Sequence, residues 1–197
     1  MTLDELMDEL RFDDSVAIPM TDDSDALGRV ICGSAIEIGD RSYIVLEHRN
    51  DGTTAVITKD FWKDMEFDND SGDYAESAVR TALNNEFYNE VANAVGVESI
   101  IEHEVNLTAD DGTNKGVVCR DNVSLLTTDL YRKYRDFLPA YGSWWWTATP
   151  YSTGFPRGVC SVDDDGTLSW DGCNYSRGVR PFLILDSSVS NFSVLES

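Results

Sequence analysis

The stretch from Tyr141 to Leu185 limits most tightly what this chain can fold into. Three consecutive tryptophans, Trp144, Trp145 and Trp146, stand near its start, and the apolar run Val179-Arg180-Pro181-Phe182-Leu183-Ile184-Leu185 closes it. Successive strand residues alternate faces, so Trp144 and Trp146 are expected on one side and Trp145 on the other. We expect Trp144 and Trp146 in the core, and Trp145 and Trp170 as exposed stacking surfaces. Burying one indole removes about 150–250 Å² from water, worth several kcal/mol at roughly 25 cal/mol per Å². A core must therefore form around this run. Between the two apolar walls lie many Ser, Thr, Tyr, Gly, Asn and Asp residues. That is the composition of a surface displayed on a rigid scaffold rather than of an enclosed active site.

The rest of the chain supplies the scaffold. Ala35 to Ile38, Tyr43 to Leu46 and Thr54 to Thr58 read as a three-stranded meander, with turns at Gly39-Asp40 and Asn50-Asp51-Gly52. Ser77 is placed to cap a helix in which Val79, Leu83, Phe87, Val91 and Val95 form one apolar stripe, with Gly96 beyond its end. Ile100 to Leu107 and Val123 to Leu126 read as strands. Thr127 or Thr128 starts a second helix through Tyr131, Tyr134 and Phe137, ended by Pro139. Val159 to Val162 and Thr167 to Trp170 form a hairpin around Asp164-Asp165-Gly166, and Val179 to Leu185 is a last strand. Its Pro181 suggests an edge or a bulge. The pattern is α+β, with a mostly antiparallel sheet and two main helices.

At the start, Thr2-Leu3-Asp4-Glu5 is a capping box before Leu6, Met7 and Leu10, which predicts a short amphipathic helix over residues 3–11. Asp13 to Asp25 is acidic and reads as a tether. The organisation is thus an arm, 1–27, and a compact domain, 28–197. No charged n-region with an apolar core opens the chain, so cytoplasmic synthesis without a signal peptide is expected. The net charge of −21 repels phosphate backbones and anionic headgroups, which disfavours nucleic acid and membrane surfaces as partners. No run of about eighteen apolar residues predicts membrane insertion. Cys32, Cys119, Cys160 and Cys173 form no CxxC motif. Cys160 and Cys173 can approach across a hairpin, although buried free thiols are the expected state.

Several segments together resemble a known group. The helix Ser77-Ala78-Val79-Arg80-Thr81-Ala82-Leu83-Asn84-Asn85-Glu86-Phe87-Tyr88, then Ser124-Leu125-Leu126-Thr127, the tryptophan strand and Gly178-Val179-Arg180-Pro181 are similar to an uncharacterised bacterial and phage family. The resemblance runs over roughly residues 30–187. It implies a C-type-lectin-like fold related to the sulfatase-modifying-factor (formylglycine-generating) type. One departure stands out: the family usually has Leu-Arg-Ser-Pro after its tryptophans, where this chain has Thr147-Ala148-Thr149-Pro150. Some relatives in this fold are variable proteins of diversity-generating retroelements. Tyr151-Ser152-Thr153-Gly154-Phe155-Pro156-Arg157 and Ser169-Trp170-Asp171-Gly172-Cys173-Asn174-Tyr175-Ser176-Arg177 resemble their variable segments. The implied role is non-enzymatic recognition of a protein or glycan surface target. The implied setting is a phage or cell-surface assembly, with virion association.

The candidate ligand residues are therefore Tyr151, Ser152, Thr153, Phe155, Arg157, Ser169, Trp170, Asp171, Asn174, Tyr175, Ser176 and Arg177. Tyrosine supplies rigid amphipathic contact area, and Ser and Asn supply adaptable hydrogen bonds. No catalytic residue is expected. His48 lies beside a turn and His103 on a strand, and there is no phosphate loop, nucleophile elbow or HExxH. The formylglycine-generating relatives bind copper through two close cysteines, whereas Cys160 and Cys173 stand well apart in sequence. No cofactor is expected. Calcium at Asp68-Asn69-Asp70-Ser71-Gly72-Asp73 or Asp163-Asp164-Asp165-Gly166 is the weaker reading, because neither fits an EF-hand loop. Arg180, on an apolar strand, is expected to be partly buried and paired with an acid. The alternative function is a structural or assembly component of a phage or prophage particle, docked through residues 1–25, with loops that bind nothing. A degenerate relative of the modifying enzymes is the third reading.

Overall fold

The computed structural model describes residues 26–195. The predicted helix over residues 3–11 and the acidic tether lie outside the described residues. The chain runs through β1 (Ala35–Ile38), β2 (Arg41–His48), β3 (Thr53–Thr58) and β4 (Lys63–Glu66) before its helices. The main helix joins α1 (Ala78–Ala82), a π turn over Leu83–Phe87 and α2 (Tyr88–Val95). Then follow β5 (His103–Asn106), β6 (Val118–Asp121), β7 (Val123–Ser124) and the short α3 (Thr128–Lys133). The last third holds β8 (Trp145–Ser152), β9 (Phe155–Val162), β10 (Leu168–Gly172), β11 (Ser176–Val179), β12 (Phe182–Asp186) and β13 (Ser193–Val194). One sheet has the order β13-β1-β2-β3-β12-β7, a second β10-β9-β8-β11-β4, and β5 and β6 form a ribbon. The pairs are antiparallel except for β11 beside β8. The fold is mixed α+β with mostly antiparallel sheets and one main helix.

The meander forms as its alternation predicts, but both of its faces are covered. Ile36, Tyr43, Val45 and Val56 join one cluster, with Val79, Leu83, Phe87, Val91 and Val95 of the main helix. Ile44, Leu46, Ala55 and Ile57 join a second, with Tyr131, Tyr134, Phe182 and Ile184. Antiparallel sheets often leave one face wet. Here every residue of β3 is buried.

Ser77 caps the main helix, its hydroxyl accepting from the Arg80 N–H at 3.2 Å. The stripe repeats strictly every four residues, which outruns a helix of about 3.6 residues per turn. The wider π turn absorbs part of the excess, and all five stripe residues stay buried. The same helix clamps the start of β7. The Asn84 carboxamide oxygen accepts from the N–H groups of Asn122 and Val123, and its nitrogen donates to the Val123 carbonyl. Arg80 pairs with the buried Asp121 at 2.7 Å.

Four expectations need correction. Two main helices were expected; the second α-helical stretch ends at Lys133. Tyr134 leaves helical geometry with φ −102° and ψ 13°, and its hydroxyl donates to the Glu47 carboxylate at 2.6 Å. Trp145 is not an exposed platform. Trp145 lies in the second cluster and Trp146 in the first, so the faces alternate as predicted, but β8 is covered on both sides. The expected terminal strand is two strands. Pro181 sits where β11 leaves one sheet and β12 enters the other, and β12 is central, between β3 and β7. Arg180, at that crossing, has no acid partner among the described residues. It is fully buried and donates to the Thr58 carbonyl from Nε and Nη2, at 3.2 and 2.9 Å, and to the Lys59 carbonyl from Nη2.

Candidate functional site

The tightest gathering of predicted site residues is an aromatic cluster on the β8–β9–β10 hairpins. Pro150 pairs with Val159 after an irregularity in β8, and Trp170 pairs with Cys160. This register stacks the Tyr151 and Trp170 rings at 4.6 Å and 19°. Phe155, just past the turn, lies 5.7 Å from Trp170 and edge-on to Tyr151 at 6.3 Å. Gly158 makes the packing possible: a Cβ there would lie 3.1 Å from that of Tyr151. The cluster is wet. Phe155 is 57% exposed and Trp170 43%. Large aromatic rings held in mutual contact yet facing solvent leave exposed apolar area that a core would recover.

A second group surrounds Arg177. Its guanidinium pairs with the Asp171 carboxylate and lies 5.0 Å from the Trp144 ring centroid and 5.5 Å from Tyr175. Tyr175 is 55% exposed. Trp144 was expected in the core, but it is only half-buried. It lies before the first residue of β8 and so misses the cover that encloses the next two indoles. Sequence reasoning missed it as a member of this group; an indole followed by polar arginine-bearing loops was the available signal.

The other candidates are spread around these two groups. Thr153, Arg157, Asn174 and Ser176 are exposed, while Ser152 and Ser169 are half-buried. Arg157 donates to the Asn69 carbonyl at 2.9 Å and lies 3.8 Å from Asp70. No hydrogen bond among the described residues joins the side chains of Ser169, Asn174 or Ser176 to either aromatic group.

The acidic turns have local duties. Asp68 accepts from the N–H groups of Asp70, Ser71 and Ala78, which holds its carboxyl below the usual range and fastens the turn to the start of the main helix. Asp163 and Asp165 both accept from the Thr167 N–H at 2.8 Å. Among the described residues no three His, Cys, Asp or Glu side chains are gathered as metal ligands. The cysteines are unbonded, and the register sets Cys160 opposite Trp170 rather than Cys173. Burial pushes the Cys160 thiol up to about 12.

Each histidine is tied into structure. His48 bonds Thr54 and the Val30 carbonyl, at 2.9 and 2.6 Å. His103 is buried, meets the Ser124 hydroxyl at 2.8 Å and packs edge-on against Phe182. Burial lowers the His103 pKa below its ordinary value of about 6.5. The unfolded chain then binds the proton more readily, so stability should fall as pH drops through about 6.5. Urea unfolding at pH 7.5 and 5.5 should show a smaller loss in His103→Gln than in the parent chain. Equal losses would contradict this assignment.

A family model described as a domain of unknown function, DUF6273, matches residues 99–187. The match takes in both aromatic groups but less than half of the chain. No curated protein matches, and no solved structure does.

Proposed function

We propose that this chain is a non-enzymatic recognition module with a C-type-lectin-like fold, which binds a protein or glycan surface target through its C-terminal hairpins. The observation that carries the reading is the contact set of half-buried Tyr151 with exposed Phe155 and Trp170, held on strands that pack on two buried clusters. Rigid rings with two side-chain torsions lose little entropy on binding and offer large area. Tyr175 adds an exposed amphipathic ring over the half-buried Arg177–Asp171 pair, and Thr153 and Asn174 add exposed polar groups. Polar segments of this kind, anchored between the tryptophan strand and the Gly-Val-Arg-Pro crossing, suit retroelement-driven substitution. Exposed side chains there can change without disturbing either core. No helix among the described residues is long and apolar enough to cross a membrane.

Single substitutions test the reading. Tyr175→Ala should leave the fold within about 1 kcal/mol of the parent, as exposed positions do, and Trp170→Ala, which also removes the stack on Tyr151, should cost about 1–2 kcal/mol while the chain stays folded. Both should weaken binding on glycan and peptide arrays about tenfold or more. The checks are thermal unfolding and array signal on the same preparations. Variants that bind as the parent does, or lose signal only in step with unfolding, would overturn the proposal.

A further inference from the structure

The sheet that carries the aromatic cluster ends on β10, which pairs with β9 and has no strand on its other side among the described residues. In an antiparallel pair, residues that exchange bonds with the neighbouring strand alternate with residues that do not. Two bonds fix the alternation here. The Cys173 N–H donates to the Arg157 carbonyl at 2.8 Å, and the Asp163 N–H to the Thr167 carbonyl at 3.0 Å. Stepping in twos between them along the register, Ser169 and Asp171 bond to β9. Leu168, Trp170 and Gly172 therefore turn their N–H and C=O groups outward. Gly172 satisfies its own: its N–H donates to the Asp171 carboxylate at 2.8 Å, and its carbonyl accepts from the Tyr175 N–H at 3.0 Å. The N–H and C=O groups of Leu168 and Trp170 have no partner among the described residues. Edges of this kind are commonly blunted by lysine, proline or a covering element. The opposite edge, β4, follows that rule: Lys63 pairs with Glu86 of the main helix at 2.8 Å, and Asp64 and Glu66 add charge. β10 reads Leu168-Ser169-Trp170-Asp171-Gly172, without lysine or proline, and its one charge is paired with Arg177.

We propose that β10 takes up an extended basic segment of a protein partner as an added strand, an inference that rests on the recognition reading and names the kind of target. Main-chain bonds to Leu168 and Trp170 supply affinity in this mode, and alternate side chains supply specificity. An added strand lies about 4.7–4.9 Å from its neighbour. Side chains on one of its faces then line up beside the Trp170 ring, which stacks on Tyr151. Apolar residues fit there, as cross-strand neighbours of an aromatic ring. Charge selects the rest of the segment. Asp163, Asp164 and Asp165 stand in the turn that leads into β10, and Arg135, which lies against Gly166 of that turn, offsets only part of them. The chain as a whole carries −21, which draws a basic segment and opposes the pairing of β10 with its copy in a second chain.

The test follows amide hydrogen exchange in the full chain, ¹⁵N-labelled, as a pool of short blocked peptides is added in which lysine alternates with randomised apolar residues. The Leu168 and Trp170 amides should gain protection that saturates with peptide. The Ser169 and Asp171 amides, already bonded to β9, should change little. A pool with glutamate in place of lysine, and the lysine pool with its backbone N-methylated, should each bind about tenfold more weakly. Leu168→Pro removes one outward N–H at an edge position, where proline is tolerated, and should weaken the lysine peptides about tenfold, roughly the worth of one hydrogen bond. Lysine peptides that leave both amides unprotected overturn the inference, and so do N-methylated peptides that bind as well as their parents. Protection that rises with chain concentration alone also overturns it, since the edge then belongs to a second copy. A glycan that shifts the Trp170 indole without protecting either amide overturns it too, and leaves the recognition reading standing.

Discussion

Arg180→Ala is expected to lower stability by about 2–4 kcal/mol, with the loss read as a drop in the urea midpoint at constant slope. Arg180 is 2% exposed, and its guanidinium lies 5.1 Å from the Trp145 ring centroid and 5.6 Å from that of Tyr141. Truncation strips the side-chain donors from two backbone carbonyls, those of Thr58 and Lys59. The buried Thr58 carbonyl, left without this donor, costs about 1–3 kcal/mol, the part-buried Lys59 carbonyl less, and the emptied volume beside Trp145 adds a cavity. One effect opposes these: burial pushes the guanidinium down to about 10, so removing the cation relieves a desolvation cost. The lost donors and the cavity together exceed that relief. Arg180→Lys should recover only part of the loss, since an ammonium cannot span both carbonyls and lie flat on the indole. An alanine variant as stable as the parent would show that the cation contributes nothing net at the sheet crossing.

Trp146→Ala should be costlier still, about 3–5 kcal/mol. Its ring is fully buried, meets Phe67 edge-on at 5.6 Å and belongs to the cluster that the main helix closes. Its indole N–H donates to the Met65 carbonyl at 3.1 Å, a bond that reaches past β11 to β4. The substitution therefore removes a large apolar volume and leaves a carbonyl without its donor. The informative control is Trp144→Ala. That ring is half-buried under Arg177, and its loss should cost well under half as much. Equal costs at the two positions, measured by urea unfolding, would contradict the packing described for β8.

Features legible in the sequence were those set by local chemistry. The meander, the Ser77 cap, the apolar stripe, Gly96 beyond the helix and the hairpin around Asp164-Asp165-Gly166 each follow from spacing and turn residues. Features that needed the tertiary structure were less legible. Alternation placed Trp145 opposite Trp146, but nothing local tells that both sides of β8 are covered. The run from Val179 to Leu185 reads as one strand, because Pro181 marks a break without saying that two sheets meet there. Arg180 suggested an acid partner, yet carbonyl oxygens and aromatic faces satisfy it. In the site, Tyr151, Phe155 and Trp170 were each singled out for their type, while their stacking depends on the β8 irregularity and on Gly158.

The most direct test follows the five indole N–H signals of the ¹⁵N-labelled chain while the strongest array ligand is added. Trp170 should move in a saturable way, Trp144 should respond if the ligand reaches Arg177, and Trp145 and Trp146 should stay still. A ligand that saturates the chain without shifting Trp170 would place recognition elsewhere and contradict the account.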